Sequence, residues 1–487
     1  MALTRRTFVK GAAAIPFAIW LEEVGFAQTT NIRFDCTSAK GKAMLGIYAD
    51  AVKKMMDPAQ IRVADPRSWT FQWYTHAVRE DRTKAAEISR IYPPTPPPNP
   101  DWKALANLMW DTCQSHFAGM NPLNFLPWHR ILLINFEMII RNVSGNASFT
   151  LPYWNYTVSG GAHGIIPEEF RLKGNPKFGT LFIEKRTRGN DGHTIGTPAP
   201  NDVINLEAFK QCKYEPTGTA ILGFCQHIDR NLHGQVHVRT GNNENMGRVP
   251  WAAGDPVFWV HHCQIDRLWA RWNVRGGKNP TDAAWKAQTF TFYDGTKKVT
   301  AKIGDVLDLT QVKYTYDVLN DPVPDCTLGK PSPNAAPARK LVAKVGVIDL
   351  SAAKPMAHLT APPSPTAQIP LGERVKQLGP GRNLFVVISG LKINVSEKQK
   401  TAIEPGVIYN VYLAGNYIGS IHFFNAFAHG ANGTPPDRAF SFDITDLAKS
   451  LAAKGAMGAT ADITFAPEGT PVKDAKPVVG EVSIIEQ

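Results

Sequence analysis

The first half of the chain carries apolar positions at the spacing of amphipathic helices. From His262 the positions at i+3, i+4 and i+7 form one stripe, which predicts a helix after Pro256. From His129 apolar residues recur at i+3, i+4, i+7 and i+11, and Pro127 can open that helix. Both histidines are therefore predicted to lie on the stripe that faces the core.

Beyond residue 340 the helical pattern gives way to short β-rich runs between turn residues. These runs read LFVVISGLKINV, VIYNVYLAG, YIGSIHFF, AFSFDI, ADITFAP and EVSIIE. Runs of this kind predict a β-sandwich or jelly-roll-like domain. The segment before them is rich in Pro, Asn and Gly, as linkers are. We predict a mainly α domain over residues 28–320, a linker over 321–340 and a β domain over 341–487.

Length and charge place the chain among soluble proteins of more than one domain. A chain of 487 residues is typical of two or three domains. Its hydrophobic fraction of 43% and charged fraction of 20% are those of globular proteins. The net charge of +11 comes from scattered basic residues, so we interpret it as favouring solubility and predict no nucleic-acid partner.

The N-terminus reads LTRRTFVKGAAAIPFAIWLEEVGFAQT, with Arg5 and Arg6 ahead of a short apolar run. This order resembles a bacterial twin-arginine export signal, which predicts cleavage after Ala27 and a periplasmic or secreted protein. A buried N-terminal helix is the alternative. The apolar run is shorter than the ~20 residues that a membrane span needs, so no membrane anchor is predicted.

Histidines recur in two sets that suit metal binding. His233 and His237 stand four apart, so on a helix they share one face, and His262 follows on the next predicted helix. That pair alone could equally be structural, because HxxxH is common by chance. The second set, upstream, consists of His76, His116 and His129. Two sets of three suit two metal ions, such as copper, zinc or iron, between the facing helices of a four-helix bundle.

Four motifs carry a resemblance to a known family. They are FLPWHRILLINFE around His129, LPYWNY at 151–156, HGQVH at 233–237 and DPVFWVHHCQIDRLW at 255–269. Together they resemble the coupled binuclear copper proteins, which are the tyrosinases, catechol oxidases and mollusc-type hemocyanins. The resemblance covers roughly residues 60 to 320, and Tyr314 and Tyr316 match the Tyr-x-Tyr signature that ends the catalytic domain of plant-type polyphenol oxidases.

The resemblance implies a site of two copper ions. The implied ligands are His76, His116 and His129 for one ion, and His233, His237 and His262 for the other. The second histidine of the HH pair is the ligand in such proteins, so the resemblance makes His261 a neighbour.

The reaction that the resemblance implies is oxidation of o-diphenols to o-quinones by dioxygen, with some ortho-hydroxylation of monophenols. Two cuprous ions can supply two electrons to dioxygen, which redox-silent zinc cannot. A hemocyanin-like oxygen carrier is the alternative, disfavoured by the export signal and by the single copper domain. A zinc hydrolase is disfavoured because the histidine sets include no metal-ligand carboxylate.

Five residues match positions that tune the site in this family. Asp229 stands where many relatives carry a glutamate that orients a water to deprotonate phenol, and Gly234 replaces an asparagine that holds the same water. Val238 offers no charge to a substrate carboxylate, while Phe258 can stack over a bound ring or simply pack in the core. Val249 matches the position of a phenylalanine gate, so a small residue predicts an open site. The weakened water-holding pair predicts more diphenol oxidation than monophenol hydroxylation.

Cysteine chemistry gives two further expectations. An exported protein can form disulfides, and the predicted local pair is Cys212 with Cys225. Cys113 precedes His116 by three residues. Many relatives join a cysteine to the equivalent histidine through a thioether, so Cys113 is either cross-linked in this way or a plain thiol.

The C-terminal part resembles the domain that covers the active site in latent polyphenol oxidases, which predicts a lid. The sequence IHFFNAFAHG offers three rings, Phe423, Phe424 and Phe427, one of which could take the place of a phenol. Residues next to each other on a strand face opposite sides, so at least one of Phe423 and Phe424 belongs to the β core. Cleavage of the linker near Pro331 is expected to release the lid.

Overall fold

The computed structural model describes residues 31–94, 99–114, 117, 119–198, 201–218, 220–329, 340–360, 370–379, 381–394, 403–424 and 439–487. Four features predicted from the sequence lie outside these ranges: His116, Phe427, Pro331 and the export signal.

Helices dominate the chain up to Lys286. Their bounds are α1 Ala39–Met56, α2 Trp69–His76, α3 Lys84–Ile91, α4 Pro100–Met109, α5 Phe125–Ser144, α6 Gly223–Ile228, α7 Gly234–Thr240, α8 Val249–Ala252, α9 Val257–Val274 and α10 Ala283–Lys286, with α11 Leu371–Lys376 and α12 Thr445–Ala453 further along. The helix predicted after Pro256 is confirmed as α9, and the one predicted at Pro127 begins two residues earlier, at Phe125.

Local sequence explains where the histidine-bearing helices begin and end. The Ser68 side chain accepts a hydrogen bond from the backbone N–H of Phe71 and so caps the start of α2. Helix α5 is capped after Ser144 by Gly145, whose φ of 72° is left-handed and favours glycine. Helices α5 and α9 pack through a stacked pair, Phe136 and Trp259, with ring centroids 3.6 Å apart. The helical core is therefore confirmed, and α5 and α9 are its long buried members.

Short strands complete this part of the chain. They are β1 Asn31–Arg33, β2 Thr289–Tyr293, β3 Lys298–Lys302 and β4 Tyr314–Tyr316. Strands β2 and β3 form an antiparallel hairpin, and β1 pairs with β4 in parallel. The phenols of Tyr314 and Tyr316 donate to Asp266 of α9 at 2.6 and 2.5 Å, and Arg130 of α5 donates to the same carboxylate at 2.5 Å. This buried network joins the end of the helical part to both long helices.

The C-terminal part is β-rich, as predicted. Its strands are β5 Lys340–Val345, β6 Ile348–Asp349, β7 Met356–Thr360, β8 Leu384–Ser389, β9 Tyr409–Leu413, β10 Asn416–Ile421, β11 Ala439–Asp443, β12 Thr460–Pro467, β13 Val478–Val479 and β14 Glu481–Glu486. Each of the six runs predicted from the sequence overlaps one of these strands.

The prediction of two packed sheets is wrong for this part. Within the described residues eight strands form a single antiparallel sheet, in the order β10-β9-β12-β7-β5-β14-β8-β11. The sheet curls until its edge strands meet, and Gly419 of β10 lies against the ring of Phe442 of β11. Alternation of buried and exposed residues is common to sandwiches and barrels, so the strand pattern could not separate them.

The predicted disulfide between Cys212 and Cys225 is also wrong. Cys212 pairs with Cys326, with Cα atoms 4.9 Å apart, while Cys225 is a buried free thiol. The backbone N–H of Cys212 donates to the carbonyl of Leu328 at 2.9 Å, so two distant segments run side by side. The start of the predicted linker is thereby fastened to the helical part.

Among the residues that the structure describes, no helix combines the length and apolar character required to cross a bilayer.

Candidate metal centre

Two groups of buried metal-ligating side chains face each other inside the helical part. In each group one ligand atom per residue lies within 4.8 Å of the others. The first group is His76, Cys113 and His129, and the second is His233, His237, His261 and His262. His76 ends α2, His129 lies in the first turns of α5, and the HH pair lies in α9. The structure therefore brings together five of the six histidines that the sequence singled out, and His116 lies outside the described residues.

The two groups are in contact through their rings. His129 and His262 stack with centroids 4.3 Å apart and planes 10° from parallel. His262 also lies 5.0 Å from the ring of His233 and 6.4 Å from that of His76. Phe258 packs beside the same place, with its ring 4.2 Å from His262 and 4.8 Å from His76. His262 and Phe258 thus line the space between the groups.

Hydrogen bonds at Nδ1 leave Nε2 of three histidines able to bind a metal. The Nδ1 atoms of His129, His237 and His233 lie 2.7, 2.6 and 3.0 Å from backbone carbonyl oxygens, to which each can donate. A ring that donates from Nδ1 carries its lone pair on Nε2. Carbonyl acceptors of this kind fix the tautomer in known metal sites.

His261 and His262 supply a direct test of whether a metal fits. Neither ring nitrogen of either residue has a hydrogen-bond partner among the described residues, and both side chains are fully buried. Burial, reinforced by neighbouring histidines, lowers the pKa of both rings well below the usual value, so they are neutral at pH 7. Buried imidazoles without partners are costly unless they bind something. Neutral nitrogen donors of this type suit copper.

His261 belongs to the second ligand group, although the resemblance made it only a neighbour of the ligands. Its ring stacks on His233 at 5.4 Å, and it lies 4.9 Å from His237 and 5.5 Å from Tyr156. His262, in contrast, contacts the first group as well as the second. The signal for both was the adjacent pair on one helix, but only a three-dimensional arrangement could show that both reach the second group.

Cys113 lies inside the first group. Its Sγ is 3.6 Å from Nε2 of His129, and the side chain is fully buried. Its cross-link to His116 stays a prediction.

The residues around the second group differ in how close they come to it. Asp229 is buried, and its Oδ1 lies 3.2 Å from Nδ1 of His233. Gly234 is covered by His422, because a Cβ placed on this glycine would lie 2.2 Å from that imidazole ring. Nε2 of His422 donates to the carbonyl oxygen of Arg230 at 2.8 Å.

Val238 and Val249 occupy two other environments. Val238 is half-buried and lines a cavity of about 360 Å³ between the helical and β-rich parts, together with Glu404 and Phe423. Val249 is fully buried at the start of α8, and its role at the entrance of the site stays a prediction.

An aromatic ring from the β-rich part enters the metal centre. Phe424, three residues after the end of β10, stacks on His237 with centroids 4.4 Å apart and planes 17° from parallel. The same ring lies 5.8 Å from His233. Phe423 instead packs in the core of the β-rich part against Tyr409.

Comparison with known proteins identifies the family and the fold of this chain. The profile of the common central domain of tyrosinase matches residues 66–211 and 184–275, and the profile of the polyphenol oxidase middle domain matches residues 279–324. The solved structure of latent apple tyrosinase superposes with a TM-score of 0.55 at 19% identity, over 95% of this chain and 99% of that chain. At that identity the likeness concerns the fold, a helical core followed by a β-rich domain.

Sequence relatives give the same family. Tyrosinase HcTyr1 of Hahella sp. is 30% identical over 334 residues, which cover 63% of this chain and 66% of the relative. Polyphenol oxidase A1 of Vicia faba is 27% identical over 441 residues, which cover 77% of this chain and 70% of the relative. The chain spans between 40% and 66% of the length of HcTyr1, aureusidin synthase of Antirrhinum majus and polyphenol oxidase II of Ipomoea batatas. The chain belongs to the tyrosinase and polyphenol oxidase family of coupled binuclear copper proteins.

Proposed function

We propose that this protein is a copper-dependent polyphenol oxidase that uses dioxygen to oxidise o-diphenols to o-quinones. The observation that carries the proposal is the pair of facing ligand groups, joined by the stacked rings of His129 and His262. Each group would hold one copper ion, the first with His76, His129 and the predicted His116, the second with His233, His237 and His262. The pair of copper ions supplies the two-electron chemistry with dioxygen.

The protein's own residues bind and orient the phenol. The stacking of Phe424 on His237 marks a place where an aromatic ring fits beside the second group. Phe258 lies near His262 and His76 and helps exclude water from the space between the groups. A phenol ring stacked on His237 would present its hydroxyl oxygens to the ligand groups while the surrounding apolar side chains keep the site dry.

Diphenol oxidation is proposed to exceed monophenol hydroxylation. A monophenol must lose its proton before it is hydroxylated, and a base or an ordered water helps this step. Gly234 provides no side chain to hold such a water. Val238 provides no charge for a substrate carboxylate, which favours uncharged phenols.

The C-terminal part is proposed to act as a lid whose plug is Phe424. Of the two adjacent rings, Phe424 packs in the core of the helical part and Phe423 in the core of the β-rich part. Glu468 strengthens the closed arrangement through ion pairs with Arg239 and Arg188 of the helical part. In this arrangement a phenol and the Phe424 ring compete for one place.

Export and a thioether between Cys113 and His116 complete the proposal. The Arg5 and Arg6 pair favours twin-arginine export from a bacterium, which carries folded, metal-loaded proteins. Blocked export after substitution of both arginines by lysine would support this localisation. A peptide containing Cys113 and His116 that is two hydrogen atoms lighter than the unlinked form would identify the thioether.

The decisive test of the proposed function combines metal analysis with turnover. The purified protein is expected to contain two copper ions per chain and to convert catechol to the quinone with consumption of dioxygen. Active protein with one zinc ion and no copper would contradict the assignment. Reversible dioxygen binding without catechol turnover, before and after removal of the lid, would favour the oxygen-carrier alternative.

A further inference from the structure

The carboxylate of Asp229 lies behind a proposed copper ligand. Asp229 and His233 are the first and last residues of a π-helical turn. Both Oδ1 and the backbone carbonyl oxygen of Asp229 approach Nδ1 of His233, at 3.2 and 3.0 Å. Asp229 is 2% exposed and His233 is fully buried, so water does not compete for this contact.

The π-helical turn creates this contact. The backbone N–H of Gly234 donates to the carbonyl of Asp229, five residues back, instead of following the α-helical spacing of four. The wider turn brings the carbonyl oxygen and the carboxylate of Asp229 together beside the imidazole of His233. Single π-helical turns are found frequently at functional sites.

His233 differs in this respect from the other ligand candidates whose Nδ1 contacts are described. Nδ1 of His129 lies 2.7 Å from the carbonyl oxygen of Phe125, and Nδ1 of His237 lies 2.6 Å from that of Met246. At His233 a carboxylate is added to the carbonyl. An imidazole ligand whose Nδ1–H faces a carboxylate is more basic, and binds a metal more strongly, than one whose Nδ1–H faces only a carbonyl.

We infer that Asp229 is a positioning residue, which orients His233 and strengthens its binding to copper, and that it does not hold a water that takes the proton of the phenol. This inference rests on the proposed copper site. Nδ1 and Nε2 lie on different sides of an imidazole ring, and Nε2 is the atom left to bind metal. A carboxylate at Nδ1 is therefore on the side of His233 that faces away from the metal and from the phenol. His422 covers Gly234, the other member of the predicted water-holding pair.

The two roles predict different effects of substitution at Asp229. Asp229→Asn keeps the size of the side chain and removes its charge, whereas Asp229→Glu restores the residue that many relatives carry. If Asp229 positions His233, both variants bind copper about tenfold more weakly. Once saturated with copper, both keep the wild-type ratio of monophenol to diphenol rates.

Copper affinity is measured by competition with a chelator at fixed pH and checked by the copper-induced rise in the melting temperature, which needs no turnover. Asp202→Asn is the matched control. Asp202 also pairs with a histidine, since its Oδ2 lies 2.5 Å from Nε2 of His163, but neither residue belongs to the two ligand groups. This control is expected to bind copper like the wild type. The apo forms of all variants are compared by melting temperature, so that loss of folding is separated from loss of copper.

Two outcomes would overturn the inference. One is wild-type copper affinity in Asp229→Asn. The other is a changed monophenol to diphenol ratio in Asp229→Glu without a loss of affinity, which is the result that a water-holding role predicts. Failure of the proposed function is recognised separately, since wild-type protein that binds two copper ions without oxidising catechol would contradict the oxidase and leave the affinity test of Asp229 intact.

Discussion

His261 and His262 are adjacent in sequence, but their rings contact different residues. His262 is in ring contact with residues of both groups, whereas His261 contacts the second group and Tyr156. Both are buried without hydrogen-bond partners in the described part of the chain. The resemblance implies that His262 is the ligand, and this assignment stays a prediction.

Replacing His129 or His262 by Ala is expected to abolish oxidation of catechol. Each substitution removes one ligand from a three-histidine set, so the copper content is expected to fall from two ions per chain to about one. His193→Ala is the control, because this side chain is 84% exposed in a surface loop. Full activity of either ligand variant at reduced copper content would contradict the ligand assignment.

Gly234→Asn tests whether a water held at this position helps to deprotonate a monophenol. The variant must be made both in the full-length chain and in the protein without the lid. In the full-length chain a side chain at this position collides with His422, so the variant is expected to loosen the lid as well. After removal of the lid, Asn is free to hold a water, and we expect the monophenol rate to rise about tenfold relative to the diphenol rate, as general-base assistance allows. An unchanged ratio in the trimmed protein would count against a water in this position.

Strand β10 and the residues that follow it carry contacts to both parts of the molecule. Phe423 packs with the β-rich core, His422 packs on Gly234, and Phe424 packs on His237. Consecutive side chains leave an extended segment on opposite sides, so one short segment can serve the β core and the metal centre together.

Phe424→Ala is expected to activate the full-length enzyme. Burying a phenylalanine side chain stabilises the closed arrangement by about 2 kcal/mol, which corresponds to roughly thirtyfold in the equilibrium between closed and open lid. Initial rates on catechol, at unchanged copper content, measure the effect.

Cleavage of the linker near Pro331 should raise the same rate. An unchanged rate after clean removal of the β-rich part would show that it is not a lid.

The surface between the two parts contains carboxylates whose pKa values are shifted in opposite directions. Burial raises the pKa of Glu404 to about 8 and that of Glu80 to about 7, although Arg248 acts in the other direction on both. Arg248 lies 2.6 Å from Glu80 and 4.0 Å from Glu404, so one guanidinium serves two carboxylates. At Glu468 burial also raises the pKa, but Arg239 and Arg188 outweigh it and keep the pKa below the usual value.

We expect the lid to open more readily as the pH rises. The pKa of Glu404 is higher in the closed form than in the open form, where water restores a value of about 4.3. The closed form therefore binds the extra proton. Its stabilisation is complete below pH ~4.3 and falls by about 1.4 kcal/mol per pH unit until the pH reaches about 8.

Glu404→Gln removes this dependence, because the amide mimics the protonated acid. Hydrogen exchange of β10, compared between the wild type and the variant at the same pH, should show an opening ratio that grows by up to about tenfold per pH unit and levels off near pH 8. Glu468→Gln is the contrasting control, expected to weaken closure at neutral pH and to have little effect in acid. Equal opening of wild type and Glu404→Gln at pH 9 would contradict the prediction.

The sequence was sufficient for the parts of the protein that local spacing encodes. Helical stripes placed His129 and His262 on buried faces, and alternation placed the strands of the C-terminal part, because the helical and extended periods are properties of the backbone. The linkage of Cys212 to Cys326, the single curled sheet and the choice of Phe424 as the ring that meets His237 were decided only by tertiary structure. Each depends on which distant segments pack together, and spacing along one segment carries no information about its partner in space.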